Sequence, residues 1–143
     1  MDYILDNLAV GHINDTIEPP REISALLCVA RECDIDVTPL SYHKVPIEDM
    51  RPIPSAQLKQ SVTWIRDRIE DHRIMVFCNA GVGRSPSVVV AYLCCMEGYG
   101  FGQAVEFVAV RKPNMSILPD LITSIGKVKQ KLAEESAAPP ADG

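Results

Sequence analysis

The stretch Arg73-Ile74-Met75-Val76-Phe77-Cys78-Asn79-Ala80-Gly81-Val82-Gly83-Arg84-Ser85-Pro86-Ser87-Val88-Val89-Val90-Ala91-Tyr92 is the part of the chain from which the rest can be placed. Ile74 to Phe77 is an apolar run of the length of a buried strand. Ser85 opens a segment to about Glu97 that is apolar nearly all round, as expected of a helix buried between layers. Pro86 suits its first turn, where no backbone donor is needed and the fixed φ fits. Between strand and helix lies the loop Cys78 to Arg84. Gly81 and Gly83 let successive N–H groups turn inward as a nest. The helix N-terminus adds unpaired N–H groups and a partial positive charge, so the loop is suited to an anion. Cys78 stands at its mouth and Arg84 closes it. A positive field there favours the thiolate, which points to a thiolate attacking a bound oxyanion such as phosphate.

The whole chain has 143 residues, 47% hydrophobic and 23% charged, with a formal net charge of −5. That composition fits one soluble globular domain with its own core. The negative charge argues against nucleic-acid binding and against docking on an anionic membrane. The start, Met1-Asp2-Tyr3, is acidic and leads into no secretory-type apolar run. The longest apolar run, Val88 to Met96, is too short to cross a bilayer. Five cysteines (Cys28, Cys33, Cys78, Cys94 and Cys95) make a poor disulfide framework, so a reducing cytoplasm is the expected location. His12, His43 and His72 are scattered and have no metal-ligand spacing.

Working outward, Tyr3 to Gly11 reads as two short strands around the turn pair Asp6-Asn7. Asn14 to Arg21 is a loop or short helix. Ile23 to Ala30 is a buried strand, Cys33 to Pro39 a loop, and Tyr42 to Ile47 a short strand that Pro46 pushes towards an edge or an end. A proline-rich, charged loop, Glu48 to Pro54, precedes a helix running to about Asp71, with Leu58, Val62, Ile65 and Ile69 on one face. Past Gly98 to Gly102, a helix from Gln103 to about Arg111 should bury Val105, Phe107 and Val108 or their neighbours. A last helix, about Pro119 to Glu134, carries Leu121, Ile122, Ile125, Val128 and Leu132 as its stripe. The domain is expected to span residues 1–134, with 135–143 a disordered tail. The fold class expected is α/β: a single domain with a central, mostly parallel sheet of four to five strands, flanked by helices on both faces. Sites in such sheets form beyond the carboxyl ends of strands, where Cys78 and the Glu48-Asp49 loop both lie.

Cys78-Asn79-Ala80-Gly81-Val82-Gly83-Arg84-Ser85 resembles the cysteine, five residues, arginine, serine or threonine signature of cysteine-dependent protein tyrosine phosphatases. The compact length, the acidic loop before the long helix and the Arg84-Ser85-Pro86-Ser87 helix opening resemble the dual-specificity branch. The resemblance covers residues 1 to 134 and implies a metal-independent phosphatase. Cys78 would be the nucleophile. The N–H groups of Asn79, Ala80, Gly81, Val82, Gly83 and Arg84, with the Arg84 guanidinium, would hold the phosphoryl oxygens. Ser85 would donate to the departing Cys78 sulfur. Asp49 matches the family's general acid, with Glu48 as the competing candidate. Asn114 matches an asparagine that braces the phosphate loop. The chain departs from the family at Phe77, where histidine is usual; thiolate stabilisation then rests on the loop N–H groups, the helix N-terminus, Arg84 and Ser85.

The variable loop positions Asn79, Ala80 and Val82 are small and neutral. The expected substrate is a phosphorylated protein, carrying phosphotyrosine and, more slowly hydrolysed, phosphoserine or phosphothreonine. Arg111 and Lys112 could add contacts to an acidic substrate or cap a helix. A monomer is expected, with neither nucleic acid nor membrane as partner. Three other readings stay open at this level: a phosphatase of a small metabolite or of a nucleic-acid 5′-phosphate, a phosphate-binding module with little turnover, and a rhodanese-like sulfurtransferase.

Overall fold

The fold is seen in a computed structural model that describes residues 1–36 and 38–137. Its strands are β1 (Asp2–Leu5), β2 (Leu8–His12), β3 (Ala25–Cys28), β4 (Ser41–Lys44) and β5 (Ile74–Cys78). Its α-helices are α1 (Ser55–Arg68), α2 (Arg84–Met96), α3 (Phe101–Arg111) and α4 (Leu121–Ala137), and a one-turn 3-10 helix covers Ile13–Thr16. The sheet order is β1-β2-β5-β3-β4. Among the described residues only the β1–β2 hairpin is antiparallel; β2, β5, β3 and β4 run parallel. This is the expected five-stranded, mostly parallel sheet. Strand β5 lies at its centre, with Val76 in register with Val10 on one side and Leu27 on the other. All five of its residues are buried, which is why the strand reads as a continuous apolar run rather than an alternating one.

Side chains alternate between the faces of a strand, and the two faces of this sheet are covered unequally: the four α-helices pack on one another as a single layer on one face, not on both faces as expected. Ile74, Val76 and Cys78 point to the side of the four α-helices, which pack on one another. On that side Trp64 of α1 stacks on His43 of β4, with ring centroids 6.1 Å apart. Met75 and Phe77 point the other way, level with Leu26 and Cys28 of β3. That face carries the 3-10 helix and the loops after it and after β3. There the Cys28 thiol donates to the carbonyls of Ala30 and Cys33 at 3.6 Å each.

The expected stripe of α1 holds: Leu58, Val62, Ile65 and Ile69 are all buried. Two later helices differ in detail. In α3 the fully buried residues are Ala104 and Val108. Phe107 is half-buried, edge-on to Tyr99 with centroids 5.3 Å apart and with Arg111 over its ring. In α4, Leu121, Ile125 and Val128 face the core, but Ile122 is 58% exposed, because one step along a helix turns a side chain about 100° away. Helix α4 also passes the expected boundary. Glu135, Ser136 and Ala137, expected in a disordered tail, are helical, and Glu135 is ion-paired with Lys59 of α1. Residues 138–143 of that tail lie outside the described residues.

Candidate active site

The end of β5 and the start of α2 bring Cys78 and Arg84 together across the loop 79–83. Cys78 is 2% exposed, and its sulfur lies 3.2 Å from the Ser85 hydroxyl. Ser85 Oγ also donates to the carbonyl of Gly11 at 3.3 Å, which ties the first turn of α2 to strand β2. Gly81 has φ +74, and a Cβ there would lie 2.9 Å from the Gly11 carbonyl oxygen. The loop's course against β2 therefore requires glycine at this position. The N–H groups of Ala80, Gly81, Val82 and Gly83 donate to no backbone carbonyl among the described residues. A loop of unpaired donors leading into a helix N-terminus is an anion site.

Arg84 is a buried cation with three of its five N–H donors accounted for. Its Nη1 donates to Glu32 Oε1 at 2.6 Å and to the Ile47 carbonyl at 3.1 Å. Its Nη2 donates to Glu32 Oε2 at 2.5 Å. Glu32 thus takes the end-on fork of the guanidinium. The side-on edge, Nε–H with the second Nη2 hydrogen, is left over, and Nε is buried with no hydrogen-bond partner among the described residues. A buried unpaired N–H on a cation is costly. A tetrahedral oxyanion could occupy that edge through two oxygens. The Arg84 hydrogen bonds hold the Glu32 carboxyl down at about 2, and the same contact raises Arg84 further above its ordinary value.

Asp49 enters from the loop after β4. Its Oδ1 lies 3.9 Å from Arg84 Nε and 3.6 Å from where a Cβ on Gly83 would be. Glu48, the competing carboxylate, is ion-paired with Arg31 at 2.5 Å and Arg51 at 3.5 Å instead. Asp49 lines a cavity of about 340 Å³ together with Cys78, Arg84, Val82, Met50 and Ile117, while Glu48 does not. Of the two acidic neighbours, Asp49 shares a cavity with the thiol.

Asn114 does not brace the loop as expected. It is exposed, and its Oδ1 accepts from Lys112 Nζ at 3.2 Å. The brace comes two and four residues later. The Ser116 N–H donates to the Val82 carbonyl at 2.8 Å, and the Leu118 N–H to the Ser87 hydroxyl at 3.0 Å. Lys112 is buried and ion-paired with Asp2 at 3.6 Å, and Arg111 lies 3.5 Å over the Phe107 ring. Neither faces the cavity. Glu32 was missed in the sequence. Its one signal is position, since it follows the carboxyl end of a parallel strand next to β5. Phe77 is fully buried on the sheet face opposite Cys78, so its side chain points away from the sulfur.

Residues 10–131 match the family described as "Dual specificity phosphatase, catalytic domain". Dual specificity protein phosphatase 5 of Rattus norvegicus is 31% identical over 107 residues, covering 70% of this chain and 28% of its own length. Dual specificity protein phosphatase 15 of Mus musculus is 23% identical over 119 residues, covering 79% of this chain and 51% of its own length. The chain therefore spans about half or less of the curated relatives it matches. Among solved structures, human DUSP28 superposes with a TM-score of 0.79 at 18% identity, over 94% of this chain and 99% of that one. A structure of DUSP15 gives a TM-score of 0.79 at 20% identity, over 94% and 95%. At these identities the structures show a shared fold.

Proposed function

The chain belongs to the dual specificity phosphatase catalytic-domain family, and from that premise we propose that it hydrolyses phosphomonoesters through a cysteinyl-phosphate, without a metal ion. The observation that carries the reading is the buried Nε of Arg84, without a hydrogen-bond partner among the described residues, on a residue that lines the same cavity as Cys78. In the first step the Cys78 sulfur bonds to phosphorus while the phosphorus–oxygen bond to the leaving group breaks. Asp49, protonated, gives its proton to the departing oxygen. In the second step Asp49 takes a proton from water, the water oxygen attacks phosphorus, and the sulfur–phosphorus bond breaks. Ser85 then donates to the thiolate that leaves. Charge on the three equatorial oxygens meets Arg84 and the loop N–H groups, which are held in place before the reaction begins.

The substrate is a phosphorylated protein, with phosphotyrosine first and phosphoserine or phosphothreonine slower. The enzyme acts as a monomer in a reducing cytoplasm, which suits five free thiols. No described helix is long and apolar enough to cross a membrane. The test is steady-state hydrolysis of phenyl phosphate in the presence of a chelator. The native protein turns over and Cys78→Ser does not. Asp49→Asn slows turnover and removes its dependence on a protonated acid. Turnover retained in Cys78→Ser, or an Asp49→Asn pH profile identical to that of native protein, contradicts the assignment.

A further inference from the structure

Resting on the proposed function, we infer that His12 is a positioning residue for the reaction: gripped by Asp15, it backs the loop at Gly81 and, as an imidazolium, strengthens the loop's hold on a doubly charged phosphoryl group. His12 ends β2 in register with Cys78, the last residue of β5. Three consecutive residues at this strand end meet the loop and the start of α2, each in a different way. The Gly11 carbonyl accepts from the Ser85 hydroxyl at 3.3 Å. The Ile13 N–H donates to the Asn79 carbonyl at 3.3 Å. Between them, the Cβ of His12 lies 3.2 Å from where a Cβ on Gly81 would stand. The stretch of loop whose N–H groups are left for an anion therefore runs directly against the His12 side chain.

The imidazole is held in place. Asp15 Oδ2 accepts the His12 backbone N–H at 3.0 Å and lies 3.6 Å from the ring Nε2. One carboxylate thus grips both the strand end and the ring. The side chain is 42% exposed, open enough to exchange a proton with solvent. The other two histidines are engaged elsewhere: His43 stacks on Trp64, and His72 Nδ1 meets the Ser24 hydroxyl at 2.8 Å, before the start of β5. Imidazole is the side chain that ordinarily changes charge between about pH 5 and 8. The charged and titratable groups around His12 are Asp15, the Met1 amino group 3.4 Å from the same Asp15 oxygen, and Cys78 and Arg84 at the two ends of the loop. Asp15 offsets part of an imidazolium's charge, so its pull on a dianion is that of a half-exposed pair, about threefold in affinity. The pull acts on the phosphoryl group as bound and as transferred, so it appears in KM rather than in kcat.

The experiment measures sulfate binding to the Cys78→Ser protein, in which no thiol titrates at position 78, alone and with His12→Gln or His12→Lys added. Sulfate keeps both of its charges across the range used. The parent protein binds sulfate about threefold more tightly at pH ~5.5 than at pH ~7.5. His12→Gln, which keeps the Cβ against Gly81, loses that gain, and His12→Lys keeps the tighter binding at both. By reciprocity the parent takes up at most about a quarter of a proton per sulfate bound, and the His12→Gln protein takes up none; calorimetry in two buffers of different ionisation enthalpy reads it. With Cys78 intact, His12→Gln raises the KM for phenyl phosphate about threefold at the lower pH and leaves kcat close to native. An equal gain in sulfate affinity with His12 and with Gln overturns the inference, and so does a fall in kcat at unchanged KM, since either means that position 12 only packs against Gly81. Sulfate binding as described with no turnover by native protein contradicts the proposed function alone.

Discussion

Glu32 and Arg84, 52 residues apart, meet as a two-point ion pair of 2.6 and 2.5 Å in which the glutamate takes the end of the guanidinium and leaves its buried Nε without a hydrogen-bond partner among the described residues. The arrangement fixes both the plane and the direction of Arg84. A lysine could not be held this way, because an ammonium has no second edge to present. The Ile47 carbonyl completes the clamp, so the cradle is aimed before any phosphate arrives.

Glu32→Gln should loosen that clamp. One contact becomes donor against donor, and a stability loss of about 1–2 kcal/mol is expected, kept small by the partial exposure of Glu32. Urea denaturation measures it, and titration with inorganic phosphate should show weaker binding. The pH dependence follows from the lowered carboxyl. The folded value of about 2 lies below the ordinary 4.5, so the unfolded chain takes up the proton first. The ion pair's stabilisation is full above the ordinary value and is lost as pH falls through about 2. The stability gap between native and Glu32→Gln protein should therefore stay constant from neutral pH down to that ordinary value and close below it.

Gly81→Ala should dismantle the cradle. It forces an L side chain into φ +74 and sets its Cβ 2.9 Å from the Gly11 carbonyl oxygen and 3.2 Å from His12 Cβ. Backbone can yield little there, since Gly11 and His12 are held in register with Phe77 and Cys78. A destabilisation of about 2 kcal/mol or more is expected. Phenyl phosphate turnover should drop at least about a hundredfold, the scale of losing oriented oxyanion donors. Thermal melting and steady-state kinetics on the same preparation check both.

Phe77→His restores the residue usual in the family at a site that does not face the thiol. Phe77 is fully buried, so the change exchanges core packing for an imidazole without a hydrogen-bond partner prepared for it. A loss of about 2–4 kcal/mol is expected. Specific activity of the folded fraction should stay within about twofold of native, because the side chain lies across the sheet from the sulfur. Activity rising or falling much further would show that position 77 tunes the thiol through the backbone.

The parts of the fold legible in the sequence were those written as periodicity. The α1 stripe, the continuous β5 run and the Cys78–Arg84 spacing each carry their own signal, and all appear where expected. Contacts made between distant loops, or by backbone, leave no such trace. Glu32 reaches Arg84 from a loop with no repeat. The loop brace comes from the N–H of Ser116, a group every residue but proline has, and the side chain of Asn114 takes no part in it. Ile122 was misplaced because its apolar character matches the stripe while its angle does not. Glu135 to Ala137 looked like tail because an ion pair from α1, not apolar burial, accompanies the last turn of α4.

The most direct test of the account is to trap the covalent intermediate. Ser85→Ala removes the hydroxyl 3.2 Å from the Cys78 sulfur and should slow the second step more than the first. Rapid quenching with phenyl phosphate in a chelator, followed by peptide mass analysis, should find one phosphoryl group on the peptide containing Cys78 and on no other. It should accumulate in Ser85→Ala and be absent in Cys78→Ser. Turnover with no phosphoryl group on Cys78 at any quench time, in either native or Ser85→Ala protein, would contradict the account.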